Sequence, residues 1–378
     1  MTYDPELRRE TPLALKLKAR IERDGPIPVD DYMQACLADP EFGYYVKQPV
    51  LGAEGDFITA PEISQIFGEL IGLWCAVVWQ SMGSPGEFNL VELGPGRGTL
   101  MSDALRATRA VPGFHKALKP TLIETSAPLE KAQKSLLRQA DVAISWVRRP
   151  EDIRHGPTIV IANEFLDTCP VSQIMTDGAH WHERTVELDR AGRLAFGRRP
   201  GEPPEHFAFK LFSETRPDIV IEKQDFGFYT SLPSPEHEPY AALFIDYGHG
   251  PFTPGDTLQA IRAHRAEHPL SSPGEADLTV QVCFEDFIVA TVAASMLVNN
   301  PEQGPRQPHV AEGPITQAEF LGRLGIIERA SRLMSANPAR AAEIEAAVAR
   351  LIAPNGMGTR FKAVGLRSPT LPPLPAFA

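Results

Sequence analysis

The chain has 378 residues, 43% of them hydrophobic, enough for a sizeable core in one large or two ordinary domains. A formal net charge of -11, with Lys and Arg scattered in isolated pairs, argues against a nucleic-acid partner, because neutralising phosphates needs clustered cations. Cys36, Cys75, Cys169 and Cys283 form neither a close pair nor a metal-spaced quartet, and Met1 to Glu10 resembles neither a secretory signal nor an acid-poor transit peptide, so a reducing, cytoplasmic location is expected.

In chain order, Leu13, Leu15, Leu17 and Ile21 mark a first helix, and Val29 to Leu37 marks a second that Asp30 is placed to cap. Pro40, Gly43, Gly52 and Gly55 break the pattern into a loop carrying Tyr44, Tyr45 and Phe57. Helical spacing returns from about Pro61 to Met82 through Ile63, Ile66, Phe67, Leu70, Trp74 and Val77, with Trp74 and Trp79 offering apolar surface for an interface. From Phe88 the texture alternates short apolar runs with helical stretches: Phe88 to Leu93, Thr121 to Glu124, Val142 to Val147, Thr158 to Ala162 and Ala242 to Asp246. That alternation predicts an α/β fold with a Rossmann-like parallel sheet and crossover helices.

The expected organisation is one catalytic domain, 1–378, made of an N-terminal helical cap over 1–87 and a Rossmann-like core over 88–378. An insertion at about 177–239 carries a predicted hairpin, Arg184 to Leu188 returning through Leu194 to Phe196. The plain readings are an amphipathic helix for Gly255 to Ala260 and an extended stretch for Asp277 to Val280, with lining of an acceptor site as the alternative. The tail from Ser368 to Pro375 reads as irregular. No apolar run, Phe287 to Val298 included, is long enough to cross a bilayer. His180 and His182 have no third ligand nearby, so no metal site is expected.

The sharpest motif is Val91-Glu92-Leu93-Gly94-Pro95-Gly96-Arg97-Gly98-Thr99-Leu100, an apolar strand running through three alternating glycines into a helix from Leu100 to Thr108. Glycine permits tight turn angles and lets a ligand reach main-chain N–H groups. The dinucleotide fingerprint needs its third glycine where Thr99 stands, which disfavours a nicotinamide enzyme. Glu124, ending the next strand, is placed to accept hydrogen bonds from the ribose hydroxyls of an adenosine ligand. Ligands in such sheets lie beyond the carboxyl ends of the strands, where Asn163, Glu164 and Asp167 follow a wholly apolar run and Asp246-Tyr247-Gly248-His249-Gly250 follows another. Asp167 is equally placed to cap the helix that follows.

Taken together, Gly43-Tyr44-Tyr45, the block Gly55 to Glu69, the turn Glu92 to Gly98, Asn163 to Asp167 and Asp246 to Gly248 resemble the MidA family of methyltransferases, bacterial and mitochondrial proteins tied to assembly of respiratory complex I. One departure is Ala53-Glu54, where a glycine nearer the block is expected. The resemblance implies a class I methyltransferase sheet and S-adenosyl-L-methionine held at Glu92, Gly94, Gly96, Gly98 and Glu124, with Glu92 toward the ammonium of its methionine end. It adds Thr59 and Pro61 to the cofactor roof and Glu62 to the catalytic set with Asn163, Glu164 and Asp167. The implied reaction is symmetric dimethylation of an arginine on a protein substrate, a complex I subunit; carboxylates suit that task because a guanidinium stays protonated and must be held and polarised. The alternatives are a nucleotide-dependent oxidoreductase and a non-catalytic assembly factor with a vestigial cofactor site. The chain leaves oligomeric state open.

Overall fold

A computed structural model describes residues 4–47, 58–203, 219–232, 238–250, 253–297 and 308–378. Gly52 to Phe57, which hold the start of the most distinctive sequence block and the Ala53-Glu54 departure, lie outside the described residues. The central sheet is built from β1 (Phe88–Leu93), β2 (Leu118–Ile123), β3 (Ser145–Val147), β4 (Thr158–Asn163), β5 (Tyr240–His249), β6 (Val310–Thr316) and β7 (Phe361–Arg367) in the order 3-2-1-4-5-7-6. The first five strands run parallel, and β7 lies antiparallel between β5 and β6. All five strands expected from the apolar runs are present, β5 extending further on both sides than its run. The antiparallel β7 separates this sheet from the all-parallel dinucleotide fold.

Alternation along the strands explains the layers. Ile159, Ile161, Leu243 and Ile245 face one core with the helices, whereas Val160, Ala162, Ala242 and Phe244 face the other. On the first face, α4 (Gln65–Ser81) packs against α5 (Thr99–Thr108) so closely that a Cβ on Gly68 would lie 2.7 Å from Asp103 Cβ, and one on Gly72 2.6 Å from Ala104 Cα. Glu69, almost fully buried, ties these helices to the segment Ile326–Ala336 through Arg106 at 2.8 Å and Arg329 at 2.7 Å.

The single helix expected from Pro61 to Met82 is two. Ser64 adopts an extended conformation (φ -154°, ψ 130°) and its hydroxyl accepts from Ile66 N, so α3 (Ala60–Ile63) ends and α4 begins at that residue. A serine side chain satisfying a free helix N–H makes such a break cheap, which apolar periodicity cannot reveal. Trp74 and Trp79 are buried, and their ring N–H groups donate to Pro375 O at 3.0 Å and Pro85 O at 3.1 Å, so they contribute to the core and not to an exposed face.

The two N-terminal helices, α1 (Pro12–Asp24) and α2 (Val29–Ala38), share their core with a second sheet. Pro28 occupies the α2 N-cap; Asp30 accepts from Asp31 N and Ser172 Oγ instead of capping. That sheet contains Val171–Thr176, the predicted hairpin as Trp181–Leu188 paired with Leu194–Pro200, and Val220–Gln224. The segment read as an amphipathic helix at Gly255 to Ala260 is instead a loop entering a strand, Gln259–Arg262, paired with Asp277–Thr279. Tertiary partners take the backbone groups a helix would use: Gly255 N donates to Val220 O and Thr257 N to Glu222. The tail after β7 is irregular yet anchored by buried Leu371 and Leu374. Among the described residues no helix is long and apolar enough to cross a membrane.

Replacing Gly72 by valine forces its side chain into the Ala104 backbone; the expected cost is about 2 kcal/mol, read as a lowered denaturation midpoint at unchanged slope.

Candidate functional site

Beyond the carboxyl ends of β1, β2, β4 and β5 lies a cavity of about 1070 Å³. Three glycines shape its floor at angles that side chains resist: φ is +57° at Gly94, +54° at Gly96 and +85° at Gly98. Gly94, Gly96 and Arg97 line the cavity. Gly98 is turned away from it: a Cβ there would meet Gln133 Cγ at 3.3 Å, so this glycine serves the turn and its packing, not contact with a ligand.

Glu92 reaches the cavity from the end of β1 with 4% of its surface exposed, and its Oε2 is buried without a hydrogen-bond partner. Burial pushes its pKa up to about 8. Such an orphaned carboxylate fits a cationic group arriving from outside the protein. Glu124, just past β2, is raised by burial too, against the opposing effect of its hydrogen bonds. Its Oε1 accepts from Ser126 N at 2.7 Å and its Oε2 from Gln133 Nε2 at 2.9 Å, with the side chain on the cavity wall. A carboxylate has about four lone-pair sites, so these bonds leave capacity for a ribose hydroxyl.

Gln133, on α6 (Ala127–Leu136), is a residue the sequence reading missed. It is fully buried, and its amide donates to Gly96 O at 2.7 Å as well as to Glu124, while its Oε1 accepts from Trp146 Nε1 at 3.0 Å. One side chain therefore fixes the glycine turn against the ribose acid. The available signal was its position on the stripe Leu129, Gln133, Leu137, where four-residue spacing puts a polar group on an otherwise apolar face.

The opposite end of the cavity is acidic. Asn163, Glu164 and Asp167 all line it, joined by Tyr45, Tyr247 and Asp277. Glu164 Oε1 accepts from Ala60 N at 2.9 Å and from Asn163 Nδ2 at 3.0 Å, and burial pushes this carboxyl up to about 7. Asn163 Oδ1 and Asp167 Oδ1 are buried with no hydrogen-bond partner. Desolvation, then the charges of Asp246, Asp277 and Glu164, hold Asp167 well above the usual carboxylate range. Asp277 Oδ1 and Oδ2 accept from the Tyr45 hydroxyl at 3.0 and 3.1 Å. Gln259, Asp277 and Thr279 line the cavity from a third, three-stranded sheet that contains Gln259–Arg262 and Asp277–Thr279.

Thr59, Pro61 and Glu62 line the cavity from α3 and the residue before it. Glu62 is already engaged, its Oε1 accepting from Thr99 Oγ1 at 2.5 Å and its Oε2 lying 3.8 Å from Arg97. This carboxylate clasps the glycine turn to the roof. His182 Nε2 lies 3.0 Å from Asp177 Oδ2, and among the described residues no group of three or more His, Cys, Asp or Glu could hold a metal ion.

Residues 70–300 match the family of S-adenosyl-L-methionine-dependent methyltransferases. The chain is 35% identical to the mitochondrial protein arginine methyltransferase NDUFAF7 homolog of Drosophila melanogaster, with 93% of this chain and 83% of that protein covered. It is 33% identical to mitochondrial protein arginine methyltransferase NDUFAF7 of Homo sapiens, with 95% and 84% covered.

The chain belongs to this methyltransferase family.

A solved structure of a COG1565 superfamily member from Burkholderia thailandensis, bound to S-adenosyl-homocysteine, superposes with a TM-score of 0.82 at 27% identity, covering 99% of this chain and 98% of that one. The resemblance drawn from the motifs stands, as does S-adenosyl-L-methionine as the cofactor, and the oxidoreductase reading falls. The cytoplasmic expectation is overturned, since the relatives are named as mitochondrial. Four free, buried cysteines do not distinguish one reducing compartment from another. The chain's own residues fit the cofactor: the glycine turn leaves room for its backbone approach, Glu124 retains lone pairs for the ribose, and Glu92 lacks the cation that the methionine end carries.

Two expectations follow. Between pH 4.5 and about 8 the folded protein keeps the Glu92 proton that an unfolded chain releases, so this group's contribution to stability falls as pH rises through that window. Glu92→Gln removes the fall: without cofactor its melting temperature should exceed that of the parent by a few degrees at pH 8, with the gap closing toward pH 4.5, while its affinity for S-adenosyl-L-methionine drops. For Gln133→Leu, calorimetry should show cofactor affinity reduced roughly tenfold in a folded protein, the worth of one lost buried hydrogen bond; undiminished binding would remove Gln133 from the site.

Proposed function

We propose that this methyltransferase modifies arginine on a partner protein, by symmetric dimethylation of a subunit of respiratory complex I. The observation that carries the reading is the pair of partnerless oxygens, Asn163 Oδ1 and Asp167 Oδ1, beside the Glu164 carboxyl on the wall of the cofactor cavity. A guanidinium presents a planar fork of N–H donors and a fixed positive charge, the complement of closely spaced acceptor oxygens. The arginine specificity in the names of the NDUFAF7 relatives supports the acceptor, and the resemblance to the MidA family supports the complex I target.

Bound along the glycine turn, S-adenosyl-L-methionine supplies a methyl group on a sulfonium. Glu92 would hold the ammonium of its methionine end, and Glu124 the ribose. At the acidic end, Asn163 and Asp167 hold the guanidinium edge and orient one nitrogen. That nitrogen becomes a nucleophile only as a proton leaves it, and Glu164, with its pKa near neutrality, is the group poised to receive the proton. The arriving cation favours the ionised form of Glu164, so the base is charged when the acceptor is in place. Transfer of the cofactor's methyl group to that nitrogen would require its proton to leave, and Glu164 is the residue that would carry the proton away. Alignment and close approach of the two reactants provide much of the acceleration.

Glu164→Gln should lower methyl transfer by at least about a hundredfold while cofactor affinity stays within a few-fold. The readout is mass spectrometry of complex I subunits incubated with enzyme and labelled cofactor. Dimethylarginine formed at the parent rate by this variant would reject the role of Glu164, and absence of any modified arginine with the parent enzyme would reject the acceptor.

A further inference from the structure

We propose that Asp246 and Tyr247, consecutive residues at the carboxyl end of β5, are positioning residues that hold the acceptor-facing carboxylates of Glu164 and Asp167 in place. The proposal rests on the assignment of those carboxylates to the arginine acceptor.

Glu164 stands at φ +52°, a left-handed conformation that a residue with a Cβ rarely adopts. Something must hold it there. Its own amide donates to Ile245 O at 2.9 Å, across the parallel pairing of β4 with β5. The next three amides, of Phe165, Leu166 and Asp167, converge on a single oxygen, Asp246 Oδ2, at 3.0, 2.8 and 3.2 Å. The second oxygen of Asp246 accepts from Tyr247 N at 2.8 Å. Only a carboxylate accepts four N–H groups while offering no competing donor; an asparagine would bring its own N–H groups against them. Asp246 is wholly buried, and its charge serves the chain reversal that throws the Glu164 side chain toward Ala60 and Asn163. The cost of that placement is visible in its pKa, pushed up to about 7 by burial and then by the Glu164 charge.

Tyr247 holds the other carboxylate. Its side chain shares the cavity wall with Asp167, where its hydroxyl favours the charged form of that carboxyl, and it accepts from Gln259 Nε2 at 3.1 Å. Gln259 Nε2 also donates to Thr279 Oγ1 at 3.2 Å, which ties the assembly to the third sheet. The Tyr247 ring packs against Phe361 of β7, with centroids 5.6 Å apart. One residue thus fixes the backbone of the acceptor turn and its neighbour fixes a side chain, leaving Asp167 Oδ1 facing the cavity without a partner.

The test compares the parent protein with Asp246→Asn and Tyr247→Phe. Turnover in arginine methylation is expected to fall about a hundredfold in D246N, as for a reacting group displaced by about an ångström, and roughly tenfold in Y247F, while the calorimetric affinity for S-adenosyl-L-methionine stays within threefold. Hydrogen exchange at the amides of Phe165, Leu166 and Asp167 should accelerate at least tenfold in D246N, with β1 and β2 unchanged. Turnover within twofold of the parent in both variants overturns the proposal. So does a loss of cofactor affinity that tracks the loss of turnover, because that marks general damage. If the parent enzyme modifies no arginine, the acceptor assignment fails by itself, and the three amides decide the positioning role: faster exchange in D246N supports it, unchanged exchange overturns it.

Discussion

Glu92, Asp167 and Asp246 are buried, and Glu164 is half-buried, at the ends of β1, β4 and β5, where low dielectric makes each charge costly and each neighbour's charge costlier still. All four have proton affinities well above the ordinary carboxylate value. Holding carboxylates in surroundings this apolar costs stability, since burial disfavours their charged form. The arrangement relieves itself only when cations enter, and both reactants bring them: an ammonium and a sulfonium on the cofactor, a guanidinium on the proposed acceptor. Stability withheld from the empty protein thereby becomes affinity for the loaded one.

The two ends of the cavity are mechanically joined. A Cβ at Gly94 would come within 2.9 Å of Phe165 Cδ2, so the cofactor turn and the acceptor turn press on each other with no slack. Ala60 N, at the start of α3, donates to Glu164, and Glu62 in the same short helix accepts from Thr99 in the glycine turn. The break at Ser64 frees this short piece from α4 and lets it roof both reactants. Geometry set at one substrate is therefore transmitted to the other through contacts no longer than a hydrogen bond.

What the sequence disclosed follows the range of the interactions involved. Gly94, Gly96 and Gly98 are legible because backbone angles leave few other residues possible, and Glu124 because the next parallel strand must end beside that turn. The strands were legible because full burial on both faces demands continuous apolar runs. Gln133 was not legible as a site residue, and Asp246 was legible only by its place at the ligand end of a strand, since their roles lie in partners brought close by folding: Gly96, Glu124 and Trp146 for one, the amides of residues 165–167 for the other. The loop at Gly255 to Thr257 defeated helical periodicity for the same reason, because Val220 and Glu222 claim its backbone groups from another sheet.

The cofactor end draws mostly on one contiguous stretch, β1 through α6, in which turn, acid and Gln133 are neighbours in sequence as well as in space. The acidic wall proposed for the acceptor is assembled from far-separated pieces: Tyr45 before the sheet begins, Asn163 to Asp167 in its middle, Tyr247 on β5, and Gln259, Asp277 and Thr279 beyond it. Contacts of such long range form late and hold only once the second core is packed. Substitutions in α1, α2 or the second sheet should consequently disturb the acceptor before the cofactor, because Leu13, Tyr32 and Val171 share one apolar cluster with Leu278 and Val280 while the glycine turn is pinned within its own layer. A fold divided this way can change the protein it modifies without rebuilding the chemistry that modifies it.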